Sequence, residues 1–395
     1  MRCVGTVVRG IRTPIIKEND DLASIVVDSL MKAKDNEGFE FRDKDVVAIT
    51  EAVVGISEGN YVTVDDIATD LKEKFPSKRI GVVFPILSRN RFSMILKGIA
   101  RGMDHITMLL SFPSDEVGNN ILYDDKLDSS KFNLSSVICE SDYEEYFGDF
   151  LHPFTGINMV DFYRDLIHSE NCEVEFVFAN DPKVILNYTK DVLTCDIHTR
   201  MTTKRVISEA GANSVYGLFE VMNKPINGSG FNPEYGLLGS NKSTEERLKL
   251  FPKTGDKLVL DIQNKLKELT GKTIEVMVYG DGAFKDPVGH IWELADPVVS
   301  PAHTSGLDGT PNEIKLKYVS DNKYKDLSGD ELKNAIKEEI RHKDKDLKGK
   351  MITQGTTPRR LTDLIGSLCD LTSGSGDKGT PVVFIQGYFD NLADD

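Results

Sequence analysis

Short runs of β-branched and aliphatic residues alternate along this chain with segments whose apolar residues recur every third or fourth position. That alternation limits the fold to layered strands and helices. The clearest stretch reads Arg79-Ile80-Gly81-Val82-Val83-Phe84, then a helical pattern over 92–101, then His105-Ile106-Thr107-Met108-Leu109-Leu110. Two strand-like runs with a helix between them suit parallel neighbours joined by a crossover. The same rhythm appears earlier. Leu22, Ile25, Val26 and Leu30 share a helical face behind Asp20 and Asp21, residues 45–54 read as a strand, and 64–75 read as a helix stopped by Pro76. Further helices are predicted over 159–167, over 258–269 closed by Gly271, over 331–350 with its many i,i+4 charge pairs, and from Pro358 to Leu371. Further strands are predicted over 174–179, 273–279 and 381–385, a flexible turn over 374–379, and a polar surface excursion over 114–141. A soft boundary near Asp181-Pro182 divides the chain into an N-terminal α/β region, 1–181, and a C-terminal α+β region, 182–395.

Composition narrows the function classes. Lys plus Arg number 48 against 63 Asp plus Glu, a net charge of −15, whose field repels nucleic acid and anionic membranes. No apolar run approaches the roughly 20 residues needed to span a bilayer, and Met1-Arg2-Cys3-Val4-Gly5 does not open a secretory signal, so the expectation is a cytoplasmic protein. The five cysteines, Cys3, Cys139, Cys172, Cys195 and Cys369, form no CxxC pair and read as buried free thiols.

Phosphate-loop, dinucleotide-fingerprint, HExxH and GxSxG signatures are absent. What remains are oxygen-bearing side chains at the ends of apolar elements, where a rigid frame can hold a hard cation. Asp281 follows a strand-like run and lies between Gly280 and Gly282; Gly-Asp-Gly is also an ordinary way to leave a strand. Asn213 ends the small-residue run Ala210-Gly211-Ala212, where a cap or turn is the other reading. Asp363 falls early in the Pro358 helix, where it also complements the helix dipole. Positive charge concentrates in Ser88-Arg89-Asn90-Arg91 and between His198 and Arg205, suited to clamping phosphate or carboxylate, or to a solvated helix start. His290 and His303 lie near the Asp281 loop as candidate acids, bases or ligands, and Trp292 reads as core.

These residues resemble the coenzyme F420-0:L-glutamate ligase family. Gly10-Ile11-Arg12-Thr13-Pro14 with Asn19-Asp20-Asp21-Leu22-Ala23 is similar to its opening pattern, and Thr50 to Gly59 to its TSKVVSKAEG segment. Ala210-Gly211-Ala212-Asn213 resembles its AGxD segment, and Gly280-Asp281-Gly282 its SDT strand end. Thr362-Asp363-Leu364, Leu371 to Gly374 and Pro381-Val382-Val383 resemble its closing motifs. The order is kept across nearly the whole chain. The resemblance implies an α+β fold of mixed sheets with flanking helices in an interwoven homodimer, with GTP or ATP as energy source and Mg²⁺ or Mn²⁺ as cofactor. It carries metal binding onto Asp281, Asn213 and Asp363, and nucleotide contact onto Glu58 and Gly59. Arg200 and Arg205 would clamp the reacting carboxylate or phosphate, with Arg89 and Arg91 as the alternative clamp. The activity implied is nucleotide-driven addition of L-glutamate to an F420-0-like or folate-like carboxylate. A regulatory relative without catalysis and a metal-dependent phosphohydrolase are the other readings. The chain departs from the family at Ala52 and Ile56, where two lysines are expected, at Asn213 for Asp, at Gly282 for Thr, and in a longer segment between Arg79 and Asp196.

Overall fold

The computed structural model describes residues 3–127, 131–153, 155–280, 300–356, 359–373 and 377–394. In chain order the first elements are β1 (Val7–Ile11), α1 (Leu22–Glu37), β2 (Val46–Thr50), α2 (Glu51–Ser57), β3 (Tyr61–Thr63) and α3 (Val64–Lys74). β4 (Arg79–Val83), α4 (Phe92–Gly102), β5 (His105–Leu110), α5 (Asp124–Leu127), β6 (Ile138–Cys139), α6 (Glu140–Phe147), α7 (Met159–Ser169) and β7 (Glu173–Phe178) follow. Then come β8 (Asp191–Thr194), α8 (Arg200–Glu209), β9 (Ser214–Gly217), β10 (Asn241–Thr244), β11 (Arg247–Lys249), α9 (Gly255–Thr270) and β12 (Glu275–Tyr279). The chain closes with β13 (Ala302–His303), α10 (Leu316–Lys323), α11 (Gly329–Arg341), α12 (Leu361–Ser373) and β14 (Val382–Gln386).

These strands form three sheets. The first has the order β1-β14-β2-β12-β13 and is mixed, with β2 parallel to β12 and β14 antiparallel to both β1 and β2. Its three inner strands, β14, β2 and β12, are largely apolar on both faces because both are covered. Val47, Ile49, Val276, Val278, Val382 and Phe384 pack beneath α1 and α9, while Val46, Ala48, Met277, Val383 and Ile385 face Ile365 and Cys369 of α12. Period two divides each strand between two cores.

The second sheet, β6-β7-β5-β4-β8-β9, is parallel apart from the edge strand β6. Ile80, Val82, Ile106, Met108 and Phe176 face one core with α4 and α7, and Val83, Leu109, Val177 and Val192 face another with Ile207 of α8. Gly81 is required where the 3₁₀ segment Pro182–Asn187 lies directly on β4, since a Cβ there would come 2.3 Å from Ile185 Cγ1. β7 and β8 belong to this one sheet, so a division at Asp181-Pro182 would cut through it. The unit leaves and returns through adjacent strands of the third sheet, β10-β11-β3, where Arg247 pairs with Thr63. Residues 64–240 thus form a module set into the remainder of the fold.

Several expectations are corrected. The strand predicted over 45–54 stops at Thr50, and Glu51 opens a helix instead. Residues 114–141 do not simply lie on the surface: Asp115, Val117, Asn119, Ile121 and Leu122 are buried. The Asp115 carboxylate organises that loop by accepting from the backbone N–H of Leu87, Val117 and Asn119 and from Asn119 Nδ2. The helix expected over 331–350 ends at Arg341, held by Ile336 and Ile340 against Val319 and Leu347. Cys172, Cys195 and Cys369 are buried thiols, whereas Cys3 and Cys139 are exposed.

Candidate active site

One rim of the five-stranded sheet gathers segments that lie far apart in the chain. Ile11 pairs with Val382, Val382 with Ile49, and Tyr279 with Thr50, so the ends of β1, β2 and β12 and the start of β14 lie along one edge. Thr13 N–H donates to Gly379 O at 3.3 Å and Thr50 N–H to Pro381 O at 2.9 Å, continuing the alignment into the loops. The last turn of α12 meets this rim, where Thr380 Oγ1 donates to Ser373 O at 3.0 Å. The buried Tyr279 hydroxyl has no hydrogen-bond partner among the described residues. Burial drives its phenol pKa upward, opposed by the nearby Ser373 and Thr50 hydroxyls.

Beside the rim, a groove of about 840 Å³ follows the free edge of β1 against α1. Arg9, Arg12, Lys32 and Lys378 line it together with one acid, Glu37. Arg9 is held by Gln386 Oε1 at 2.7 Å and stacks on Phe39. Arg12, Lys32 and Lys378 have no ion-pair partner among the described residues, so the groove is a local positive field in a chain of charge −15. Such a field attracts phosphate and carboxylate groups.

At the end of β2, Glu51 and Lys249 form a buried ion pair at 2.8 Å, with side chains 3% and 7% exposed. Asn241 Nδ2 lies 3.5 Å from the other Glu51 oxygen. Lys249 comes from β11 and crosses α2 so closely that a Cβ on Gly55 would meet its Cδ at 3.2 Å. A cation from β11 therefore lies against Glu51 and Gly55, in the segment that has Ala52 and Ile56 at the expected lysine positions. No local sequence signal pairs Glu51 with Lys249.

The family model for F420-0:Gamma-glutamyl ligase matches residues 10–387. The chain belongs to that family. No curated protein matches it. The family consists of γ-glutamyl ligases acting on F420-0, with a small carboxylate acceptor and glutamate as substrates. Within the matched span, Ile11, Thr50, Tyr279 and Val382 are the strand ends that the pairing brings to the rim. Among the described residues no helix is long and apolar enough to cross a membrane.

The individually nominated residues divide among several places. Asp281, Gly282, His290 and Trp292 lie outside the described residues. Asp363 occupies the first turn of α12, where Leu361 N–H donates to Gly309 O, whereas the last turn of that helix meets the rim. The ten residue steps from Asp363 to Ser373 span about 15 Å of helix. Asn213 is exposed at the start of edge strand β9, its N–H bonded to Lys190 O at 2.8 Å, in the inserted module. Asn213 and Asp363 thus sit on different sheets. Among the described residues no three His, Cys, Asp or Glu side chains gather to hold a metal ion, so these residues alone do not fit a divalent centre. His303 Nε2 is 3.0 Å from Asp308 in an exposed pair.

Glu58 caps α9, accepting from the N–H groups of Lys253 and Thr254, both at 2.9 Å, and from Thr254 Oγ1. Gly59 turns with φ +63°, and a Cβ there would lie 2.7 Å from Glu18 Oε1. Both have structural work that accounts for their identity. Arg205 is exposed and pairs with Glu209 at 3.2 Å on the outer face of α8. Arg200 donates to Ile197 O in the loop after β8. Exposed Arg89 and buried Arg91 follow β4, the strand beside β8, so the two basic clusters meet at one end of the second sheet. Lys242 N–H donates to Asn90 O at 3.0 Å and its neighbour Asn241 approaches Glu51, which links this end to the rim.

Proposed function

We propose that the chain joins L-glutamate to an F420-0-type carboxylate after activating that carboxylate with GTP or ATP, at the rim of the five-stranded sheet and the groove beside it. The observation that carries the reading is the gathering of family segments on one rim next to a groove with four cations against one acid. In the first step an oxygen of the acceptor carboxylate attacks the terminal phosphorus, and the nucleoside diphosphate leaves. The glutamate amine then attacks the acyl carbon, inorganic phosphate leaves, and the amine gives up a proton. Both steps bring polyanions together, so charge neutralisation and positioning dominate what the protein must supply. Arg12, Lys32 and Lys378 supply that field, and Lys249, fixed by Glu51, stiffens the end of β2 against α2.

The test incubates the protein with F420-0, glutamate, Mg²⁺ or Mn²⁺ and either GTP or ATP, and follows acceptor mass in glutamate increments together with nucleotide cleavage. A glutamate-dependent mass gain with matching nucleoside diphosphate is expected. Nucleotide cleavage with no gain in acceptor mass would replace the reading with a phosphohydrolase.

A further inference from the structure

The outer edge of the five-stranded sheet is open at β1. Among the described residues its only strand partner is β14, and no backbone N–H or C=O of Val7–Ile11 bonds outside that pair. An edge strand directs alternate N–H and C=O groups away from its neighbour, where they template a further strand. The groove of about 840 Å³ runs along this row. Five residues of strand extend about 17 Å, so what fills the edge is itself a chain bearing amides at strand spacing.

The charge of the groove selects which chain. Arg9 stacks on Phe39 and Ile11 packs in the core beneath α1, so both face α1, from which Lys32 lines the groove. Val8 packs in the core with α12, and a Cβ on Gly10 would meet Thr380 Cβ at 3.1 Å. Arg12 is the next position in that alternation, towards the side of Thr380 and Lys378. Exposed cations therefore stand on both faces of the open edge, against the single acid Glu37. Positive charge on an edge guards it against a like strand and favours an acidic one. Pairing β1 with β1 of a second copy would set this basic groove against itself.

We propose that β1 accepts an extended acidic segment of a partner protein as a sixth strand, with its backbone paired to β1 and its carboxylates set against Arg12, Lys32 and Lys378. The same cations serve the substrates in the ligase reading, so a bound segment competes with them. The proposal itself rests on the open edge and its charge. Binding is therefore read without nucleotide or acceptor, which separates its failure from failure of the ligase reading.

The test titrates the full chain into the fluorescein-labelled, C-terminally amidated heptapeptide Glu-Glu-Val-Glu-Glu-Val-Glu and follows anisotropy. Saturable one-to-one binding is expected despite the net charge of −15, weakening as salt rises. The same peptide N-methylated at every backbone amide keeps its charge and cannot donate to β1; it should bind at least about tenfold more weakly. Lys32→Glu, a change on the exposed face of α1, should weaken binding at least about threefold while leaving the melting temperature in place. Hydrogen exchange of the complex should slow over residues 7–12. No saturable binding, equal affinity for the methylated peptide, unchanged affinity in Lys32→Glu, or protection confined to other segments would overturn the proposal. A dimer that already protects residues 7–12 without peptide would also overturn it, by giving the edge to a second copy.

Discussion

The Glu51–Lys249 pair offers a quantitative test of how the rim is built. At 2.8 Å, an effective dielectric near 20 gives a gross attraction of roughly 6 kcal/mol, partly offset by removing both charges from water. Deleting one partner leaves the other charged and buried, which costs about 3–5 kcal/mol. Lys249→Met and Glu51→Gln should each lose that much. The double variant should lose only about 1–3 kcal/mol, since what remains is an imperfectly bonded amide beside Asn241. The expected coupling is therefore about 3 kcal/mol or more. Urea unfolding followed by circular dichroism on the four proteins of the cycle measures it. If the two single losses simply add in the double variant, the charges do not depend on each other and the reasoning fails. A loss below about 1 kcal/mol in both single variants would show that water reaches the pair.

Other outcomes follow from single contacts. Burial raises Glu116 from 4.5 to about 7. Its stabilising contribution is therefore complete below pH 4.5 and lost as pH rises through 7, and Glu116→Gln should flatten the stability profile across that window in thermal melts at stepped pH. Gly59→Ala, at φ +63° and facing Glu18, should cost about 1–2 kcal/mol in urea unfolding. Glu58→Ala removes the acceptor at the start of α9 and should cost about 1 kcal/mol, with amide exchange increasing first at Lys253 and Thr254. Lys378→Gln and Arg12→Gln should raise KM for the anionic substrate several-fold and reduce its dependence on salt, while kcat changes less.

Much of the fold was legible because period alone identifies an element. β5 occupies the predicted residues, α1 carries the predicted apolar stripe, and α9 is closed by Gly271 at φ +70° as expected. Pairing was not legible. Nothing in Val46-Val47-Ala48-Ile49-Thr50 announces that β12 and β14 flank it, or that Glu51 turns helical directly after Thr50. The site divided in the same way. Of the collinear segments, those that mark strand ends, at Ile11, Thr50, Tyr279 and Val382, lie along one rim, whereas the segments at Asn213 and Asp363 lie elsewhere. Asn213 and Arg205 were nominated on local composition, and neither a small-residue run nor a basic cluster reports which sheet edge or helix face will carry it. Lys249 escaped notice because its partner lies 198 positions away in the chain.

The inserted module explains how a long, divergent segment can leave the family order intact. Its first helix, α3, follows β3, and the chain returns from it into β10 and β11, with Arg247 opposite Thr63 and Lys249 opposite Tyr61. Because departure and return lie on hydrogen-bonded neighbours, the sheet beneath needs no gap to accommodate the module, whatever its size. The return strand also brings Lys249 to Glu51, and β10 just before it brings Asn241 towards the other Glu51 oxygen, so the module is tied to the end of β2 by side chains as well as by the sheet.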